Sequence, residues 1–307
     1  MTGHNTNGID KVAKELEKRL QTTKMSIGDI TTTYKITKEN ARRILDSYGS
    51  ALNFDGVLYH VSRSTLPEYG INQKLTLDKD ETIGILGDTH LCSKYSAVAS
   101  LHEYYDKLDE AGVKKAFHAG DLTDGYLVYK GQIGDLVAWG EPDQRRYTVN
   151  NYPKKKNITT YVISGNHDSD TFQKGGTDIV ENVCRDRSDM KYCGMHYARF
   201  LLNDKIKFDL VHDTARRAYA LSYPSQVRQR DTPPSERPDM SAADHRHIAF
   251  YTYYNDEHMF ESGCFEHSSP YLRGRGIQAT IAGWMANLDI KDDFIKQIET
   301  KLIAFKN

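Results

Sequence analysis

From residue 81 onward the chain alternates short apolar runs with polar tips. Thr82–Leu86, Val113–Ala119, Thr160–Ser164 and Ile206–Leu210 have the length and apolarity that predict buried strands. Each leads into a polar segment: Gly87-Asp88-Thr89-His90, Gly120-Asp121-Leu122-Thr123-Asp124-Gly125, Gly165-Asn166-His167-Asp168 and Val211-His212-Asp213. Ser96–Glu110 carries Val98, Leu101, Tyr105 and Leu108 at helical spacing and stops before Gly112, which predicts a helix. Asp178–Arg187 predicts another. This strand–helix–strand order predicts an α/β start. Further strands are predicted at Ile248–Tyr254, Gly276–Asn287 and Phe294–Phe305, with Asp292-Asp293 turning the last two. Gln226–Ala242 is polar and holds Pro233-Pro234 and Pro238, so it predicts a mobile loop.

Before residue 81 the pattern is different. Ile9, Val12, Ala13, Leu16 and Leu20 predict a helix over 9–21. Ser26 is placed to cap a second helix reaching Thr33, and Thr37 a third, Lys38–Ser47. Val57–Val61 then predicts a strand. Three helices and a strand predict a small helix-turn-helix or winged-helix module over 1–70, with the main domain over 71–307 and Pro67–Asp80 as connector. Lys38, Arg42 and Arg43 decorate the third helix and are the candidate nucleic-acid contacts. The competing reading is a packing module with a solvated basic face.

Charge narrows the possible partners. Forty-one Lys and Arg stand against 42 Asp and Glu, a net charge of −1, so any nucleic acid must be held by local patches rather than a global field. No apolar run approaches the ~18 residues of a membrane span, so no membrane partner is expected. Met1–Asp10 lacks the apolar stretch of a signal peptide, and the four Cys form no C-x-x-C pair. Reduced thiols and a cytoplasmic location are the expectation.

The polar tips carry the chemistry. Asp, His and Asn side chains gathered at strand ends suit a pair of divalent ions, which roughly 3.5–4 Å apart can clamp the attacking and leaving oxygens of a phosphate ester. Carboxylates neutralise the cations, and imidazoles favour Mn, Fe, Zn or Ni over Mg. Asp88 and His90 share one side of an extended segment, a spacing that His245 and His247 repeat. Asp121 is the natural bridge between ions. Asn166 adds a neutral ligand. His167 is free to face the substrate, with Asp168 placed to orient it. Asp124 is expected to shape its loop, and His118 to be a hydrogen-bonded core residue.

In this order the motifs resemble those of the calcineurin-like metallophosphoesterases: D-x-H, G-D-x-x-D-G, G-N-H-[DE], a His after a strand, and G-H-x-H. The likeness covers about Glu81 to Asp292. It is nearest to the phage and bacterial branch grouped with DNA-repair exonucleases and small polymerase subunits, through Ala218–Tyr223 and Gly283-Trp284. The resemblance implies a layered α/β fold, a β-sandwich flanked by helices. It implies a first metal on Asp88, His90 and His247 and a second on Asn166, His212 and His245, with Asp121 shared. His167 would stabilise the transition state or protonate the leaving alkoxide, after attack by water activated near neutral pH. Mn²⁺ is the first expectation, with Fe, Zn, Ni or Mg as alternatives.

Two departures from the family pattern stand out. The Gly before the final His pair is Asp244, and the Gly-rich turn after the fourth motif reads Asp213-Thr214-Ala215-Arg216-Arg217. Arg216 and Arg217 are therefore candidate phosphate contacts, as are Arg228, Arg230, Arg273 and Arg275, since Arg forks fit phosphate oxygens. Three functions remain open: a phosphodiesterase or nuclease acting on nucleic acid, a small-molecule phosphoesterase taking a cyclic nucleotide or phosphomonoester, and a non-catalytic nucleic-acid-binding subunit.

Overall fold

In the computed structural model, residues 6–49, 52–61, 71–78, 80–214, 218–291 and 294–306 are described. Ser26 accepts the Asp29 N–H at 3.1 Å, and the Asp29 carboxylate takes the Ser26 N–H at 3.0 Å. This reciprocal cap starts α2 (Ile27–Tyr34). Thr37 starts α3 (Lys38–Ser47) by accepting the Asn40 N–H. With α1 (Thr6–Leu20) and a hairpin of β1 (Leu52–Phe54) and β2 (Tyr59–Val61), they form one compact unit, Met1–Pro67. Ala41, Ile44 and Leu45 of α3 are buried against Leu16, Leu20, Ile30 and Val61, while Lys38, Arg42 and Arg43 on the same helix are exposed. The predicted strand at Val57 begins two residues later. The Asp55 carboxylate binds the N–H groups of Val57 and Leu58 and bends them into the hairpin turn.

The second unit, Glu68–Asn307, is built on two six-stranded sheets. In the first, β4 (Asp80–Leu86), β5 (Lys115–His118), β6 (Thr159–Ser164) and β7 (Met190–Met195) run parallel. The antiparallel pair β13 (Ala282–Lys291) and β14 (Phe294–Ala304) completes the sheet beside β4. The second sheet holds β3 (Ile71–Leu75), β8 (Tyr197–Leu202), β9 (Ile206–His212), β10 (Met240–Asp244), β11 (Ala249–Tyr254) and β12 (Glu257–Ser262). Its spatial order is β11-β12-β10-β9-β8-β3.

Strand alternation decides what fills the space between the sheets. Ile83, Ile85, Phe117 and Ile163 face Phe200, Phe208, Leu210 and Phe260 in one core cluster. Phe117 lies edge-on to Phe200 and Phe208, with ring centres 5.1 and 4.8 Å apart. The other face of the first sheet is covered by α4 (Val98–Glu110) and α7 (Ile179–Asp186), through Leu101, Tyr104, Leu108, Val180 and Val183. The expected sandwich flanked by helices is the observed fold. No helix among the described residues is long and apolar enough to cross a membrane.

The expected loop at Gln226–Ala242 is largely ordered structure. It contains most of α8 (Tyr223–Asp231) and the first half of β10. The helix lacks an apolar stripe because the sheet face beneath it is polar. Its buried Ser225 donates to Glu261 at 2.8 Å, and Gln229 reaches the Asn255 carbonyl at 3.0 Å. Hydrophobic periodicity is silent for such a helix. Gly140–Asn151 (α5) also escaped prediction, with buried Gln144 and Thr148 on its inner side. The strand predicted from Gly276 starts at Ala282, and the turn at Asp292-Asp293 lies outside the described residues.

Because Phe117 sits where three aromatic rings meet, Phe117→Ala should cost about 3–5 kcal/mol of stability. Urea unfolding of the two proteins measures this. A cost under about 1 kcal/mol would mean the inter-sheet core can collapse around the gap.

Candidate active site

Parallel strands deliver their C-terminal loops to one edge of a sheet. Asp88 and His90 follow β4, Asp121 follows β5, and Asn166 opens α6 (Asn166–Gly175) directly after β6. From the second sheet, His212 ends β9, and His245 and His247 follow β10, whose Asp244 lies in register with His212. These loops are stitched together by their backbones. Asp88 N–H donates to the Gly120 carbonyl, His90 N–H to that of Asp121, and Thr280 N–H to that of His247, at 3.0, 3.0 and 2.9 Å.

The stitching holds an unusual backbone. Asp88, His90, Asp121, His245 and His247 have φ of 41°, 42°, 50°, 109° and 52°. Such conformations cost roughly 1–3 kcal/mol each and persist only where surrounding contacts over-determine them. The motif glycines make the close approach possible. A Cβ on Gly165 would stand 2.1 Å from Asp121 Oδ1, and one on Gly120, at φ +99°, would stand 2.6 Å from His212 Nδ1.

The seven predicted ligands are brought together in two groups. In one, ligand atoms of Asp88, His90 and His247 all lie within 4.8 Å of one another, and in the other those of Asp121, His212 and His245 do. Asp121 Oδ2 stands between the groups, 3.3 Å from His212 Nε2 and 3.7 Å from His90 Nε2. Asn166 Oδ1 lies 2.8 Å from His212 Nε2. His90 Nε2 and His247 Nε2 approach to 3.2 Å, and Asp88 Oδ2 is 3.4 Å from the latter. Asp88 Oδ1 is buried with no hydrogen-bond partner among the described residues. Imidazole nitrogens turned toward each other and a spare carboxylate oxygen fit the donor set of a dication pair.

Around these groups a second set of contacts fixes orientation. The His212 Nδ1–H side faces the Ala119 carbonyl at 2.9 Å, so Nε2 is left to face Asp121. His90 Nδ1 meets Asp124 Oδ1 at 3.0 Å. Asp168 was expected to orient His167, and it does not. Its carboxylate is spent on the N–H groups of Leu122, Thr123 and Gly165 and on the Thr123 hydroxyl, at 3.0, 2.8, 2.9 and 2.8 Å. It clamps the second motif to the third. His167 is held instead by Asp124, whose carbonyl lies 2.8 Å from Nδ1 and whose carboxylate lies 3.5 Å away. Asp124 therefore does more than shape its loop. His118 is buried against Thr89 at 3.1 Å, as a core histidine. Glu266, which no motif marks, joins His90 and Asp124 in a further cluster and lies 3.8 Å from His247 Nδ1.

The electrostatics reflect crowding. Burial, and then the Asp244 carboxylate, push the Asp88 pKa well up. Burial and Glu261 do the same to Asp244. Burial takes His245 down to about 4, with His212 adding to the fall. Burial would lower His90 and His212, but for His90 the combined pull of Glu266, Asp124 and Asp121, and for His212 that of Asp121, Asp88 and the Ala119 carbonyl, outweighs it and holds each at about 9. Binding cations here must displace protons.

Residues 81–283 match the family model described as calcineurin-like phosphoesterase. The chain belongs to that family. It is thus a metal-dependent phosphoester hydrolase of a dimetal family, and its Asp and His clusters could hold the metals. No match is found among curated proteins. Several solved structures are similar. An archaeal phosphodiesterase is 15% identical over 73% of this chain and 99% of that one, with a TM-score of 0.42. Zinc-bound Vps29 from Entamoeba histolytica is 10% identical over 73% and 99%, at 0.38. A Streptococcus pneumoniae TIGR4 protein described as a predicted phosphoesterase is 13% identical over 74% and 98%, at 0.33.

The calcineurin-like site opens into a cleft of about 730 Å³. His167, Asn166, His245, Tyr129, Tyr271 and Arg275 are among the residues that line it. Arg228 is drawn away, pairing at 3.5 Å with Asp213, and Arg230 pairs with its neighbour Asp231 at 2.8 Å. Arg216 and Arg217 lie outside the described residues. Lys38, Arg42 and Arg43 belong to the other unit. Asp244 is fully buried beside Asp88, and its Oδ1 accepts the His245 N–H at 3.1 Å.

Elemental analysis of protein dialysed against Mn²⁺ should find two ions per chain, and Gly165→Ala should lower that number while leaving the circular dichroism of the fold intact. One ion or none in the unmodified protein would show that the two groups do not act as a pair.

Proposed function

We propose that this phosphoesterase is a dimetal phosphodiesterase whose substrate is nucleic acid. The observation that carries the dimetal reading is the position of Asp121 Oδ2, within 3.7 Å of imidazole nitrogens from both groups. A shared carboxylate offsets the repulsion of two cations. In this reading His90, His247 and Asp88 hold one ion, and His212, His245 and Asn166 the other. Their mixture of imidazole and carboxylate makes Mn²⁺ the first candidate. The ions supply Lewis acidity at the phosphoryl group and acidify water for attack.

His167 then has a defined task. Its Nδ1 is engaged by Asp124, so Nε2 is the atom left for substrate. Burial opposes its positive charge, but Asp121 and Asp124 outweigh burial and raise its pKa well above the usual histidine value. That placement suits it to protonate the leaving alkoxide. The nucleic-acid part of the reading is supported by exposed Lys38, Arg42 and Arg43 on α3 and by the motif likeness at Ala218–Tyr223 and Gly283-Trp284. The net charge of −1 favours instead a small phosphate ester. A panel in Mn²⁺ separates them: single- and double-stranded DNA, RNA, cyclic nucleotides, bis-p-nitrophenyl phosphate and p-nitrophenyl phosphate. Cleavage of cyclic nucleotides or monoesters alone would overturn the nucleic-acid reading.

Asp121→Asn should abolish turnover and weaken both ions. His167→Ala should keep both ions and slow poor leaving groups by about 10²–10⁴-fold. Metal counting beside kinetics tests the division of labour, and loss of an ion from His167→Ala would make His167 a ligand.

Arg42→Ala with Arg43→Ala should weaken polynucleotide binding and flatten its salt dependence. Hydrolysis of bis-p-nitrophenyl phosphate should stay nearly unchanged. Equal loss on both substrates would mean damage to the unit, and no loss on either would make α3 a packing helix.

A further inference from the structure

Arg275 lines the cleft, and its guanidinium has no hydrogen-bond or ion-pair partner among the described residues. The other charges lining that cleft include Asp121, Asp124 and Glu266, each already engaged with a histidine. Arg275 is not drawn to them. It lies over the Tyr271 ring, 4.5 Å from its centre. Tyr271 in turn stacks on Tyr129, with centres 4.9 Å apart and planes 17° from parallel. Tyr129 meets His167 edge-on at 6.5 Å, and its hydroxyl reaches Asp135 at 3.4 Å. A continuous file of rings thus links the histidine that faces the leaving group to an unpaired cation.

A guanidinium held over an aromatic ring by the cation–π attraction can keep N–H donors free for a ligand. Its N–H edge presents parallel donors matched to two oxygens of one phosphate. The other arginines near the site are ion-paired with protein carboxylates: Arg246 with Glu261 and Asp213, and Arg228 with Asp213. Among the described arginines lining the cleft, Arg275 is the one that pairs with no carboxylate.

We propose that Arg275, held over Tyr271, which is itself stacked on Tyr129, binds a second phosphate of the substrate, beside the one that is cleaved. The subsite selects phosphodiesters that carry a neighbouring phosphate over isolated diesters. The inference rests on the phosphodiesterase reading above. The second phosphate has two sources, the next backbone linkage of a polynucleotide or a terminal phosphate on a short nucleotide.

The test compares kcat/KM in Mn²⁺ for thymidine dinucleotide, the same dinucleotide with a terminal phosphate at either end, and a longer oligothymidylate. Arg275→Ala should lower the value for the phosphorylated dinucleotide, the oligomer or both by about 10- to 100-fold, and leave the plain dinucleotide within about two-fold. Loss on the oligomer marks the backbone as the source, and loss confined to the short phosphorylated substrate marks a terminal phosphate. Tyr271→Phe should behave as the unmodified protein, and Tyr271→Ala should follow Arg275→Ala. Equal change on all three substrates, or none on any, overturns the proposal. Calorimetric titration with thymidine 3′,5′-bisphosphate gives a readout without turnover. If the unmodified protein binds it and cleaves no diester, the functional reading fails while a fall in affinity in Arg275→Ala sustains the subsite. Unchanged affinity in that variant overturns the subsite by itself.

Discussion

Like charges cannot be crowded into a dry interior unless something compensates them. Asp88, Asp121, Asp124, Asp168, Asp244 and Glu266 are all buried at one end of the sandwich. Desolvation alone would push each toward its neutral form. Their partners differ, and the differences sort their roles. Asp168 has four N–H and O–H donors and serves as a clamp. Asp124 has two imidazoles, whose bonds outweigh its burial and hold its carboxyl down to about 2. Asp88 and Asp244 crowd each other, and although the His245 N–H reaches both and His247 lies beside Asp88, burial still pushes both carboxyls up. A cation held by Asp88, His90 and His247 would resolve that conflict, and the strained loops and close-set glycines would keep the cavity ready for it.

The same logic extends outward from the site. Arg246 lies between the two histidines that end the motif series, and it is tied to Glu261 of β12 and to Asp213. Glu261 also takes the Ser225 hydroxyl from α8. The polar face of the second sheet is therefore a buried network that fixes the His245–His247 loop from behind. Buried polar groups of this kind are stable only when their bonding is nearly complete. The departure at Asp244 sits at the meeting point of this network and the ligand cluster.

Much of this was legible from sequence, for identifiable reasons. The inner strands of the first sheet are apolar runs ended by Gly, so periodicity and turn chemistry marked them together. The proposed ligand set was legible because Asp88, His90, Asp121, Asn166, His212, His245 and His247 occur in short motifs of fixed internal spacing. Elements whose buried side is polar stayed hidden, as α5 and α8 did, because hydrophobic pattern is blind to hydrogen-bonded burial. Partners contributed by distant segments stayed hidden too. Glu266 stands 19 residues beyond His247 in no motif, and nothing local reveals that it returns to that imidazole. The role of Asp168 was misread because adjacency in sequence says little where a helix begins. As residue three of α6 it points back to its own N-terminus and not toward His167.

The place of β13 has a consequence for how this domain is made. The strand that completes the first sheet beside β4 is formed by residues 282–291, whereas β4 itself is residues 80–86. On a ribosome β4 must wait with one edge unpaired until some two hundred further residues have emerged, an arrangement of high contact order that slows folding and exposes the nascent chain to misassociation. The ligands arrive in the same sequence: carboxylates Asp88 and Asp121 first, most imidazoles much later. Until those later segments emerge, His90 and His167 are the site imidazoles present beside the early carboxylates, and His212, His245 and His247 join them only as the second sheet and the closing strands are made.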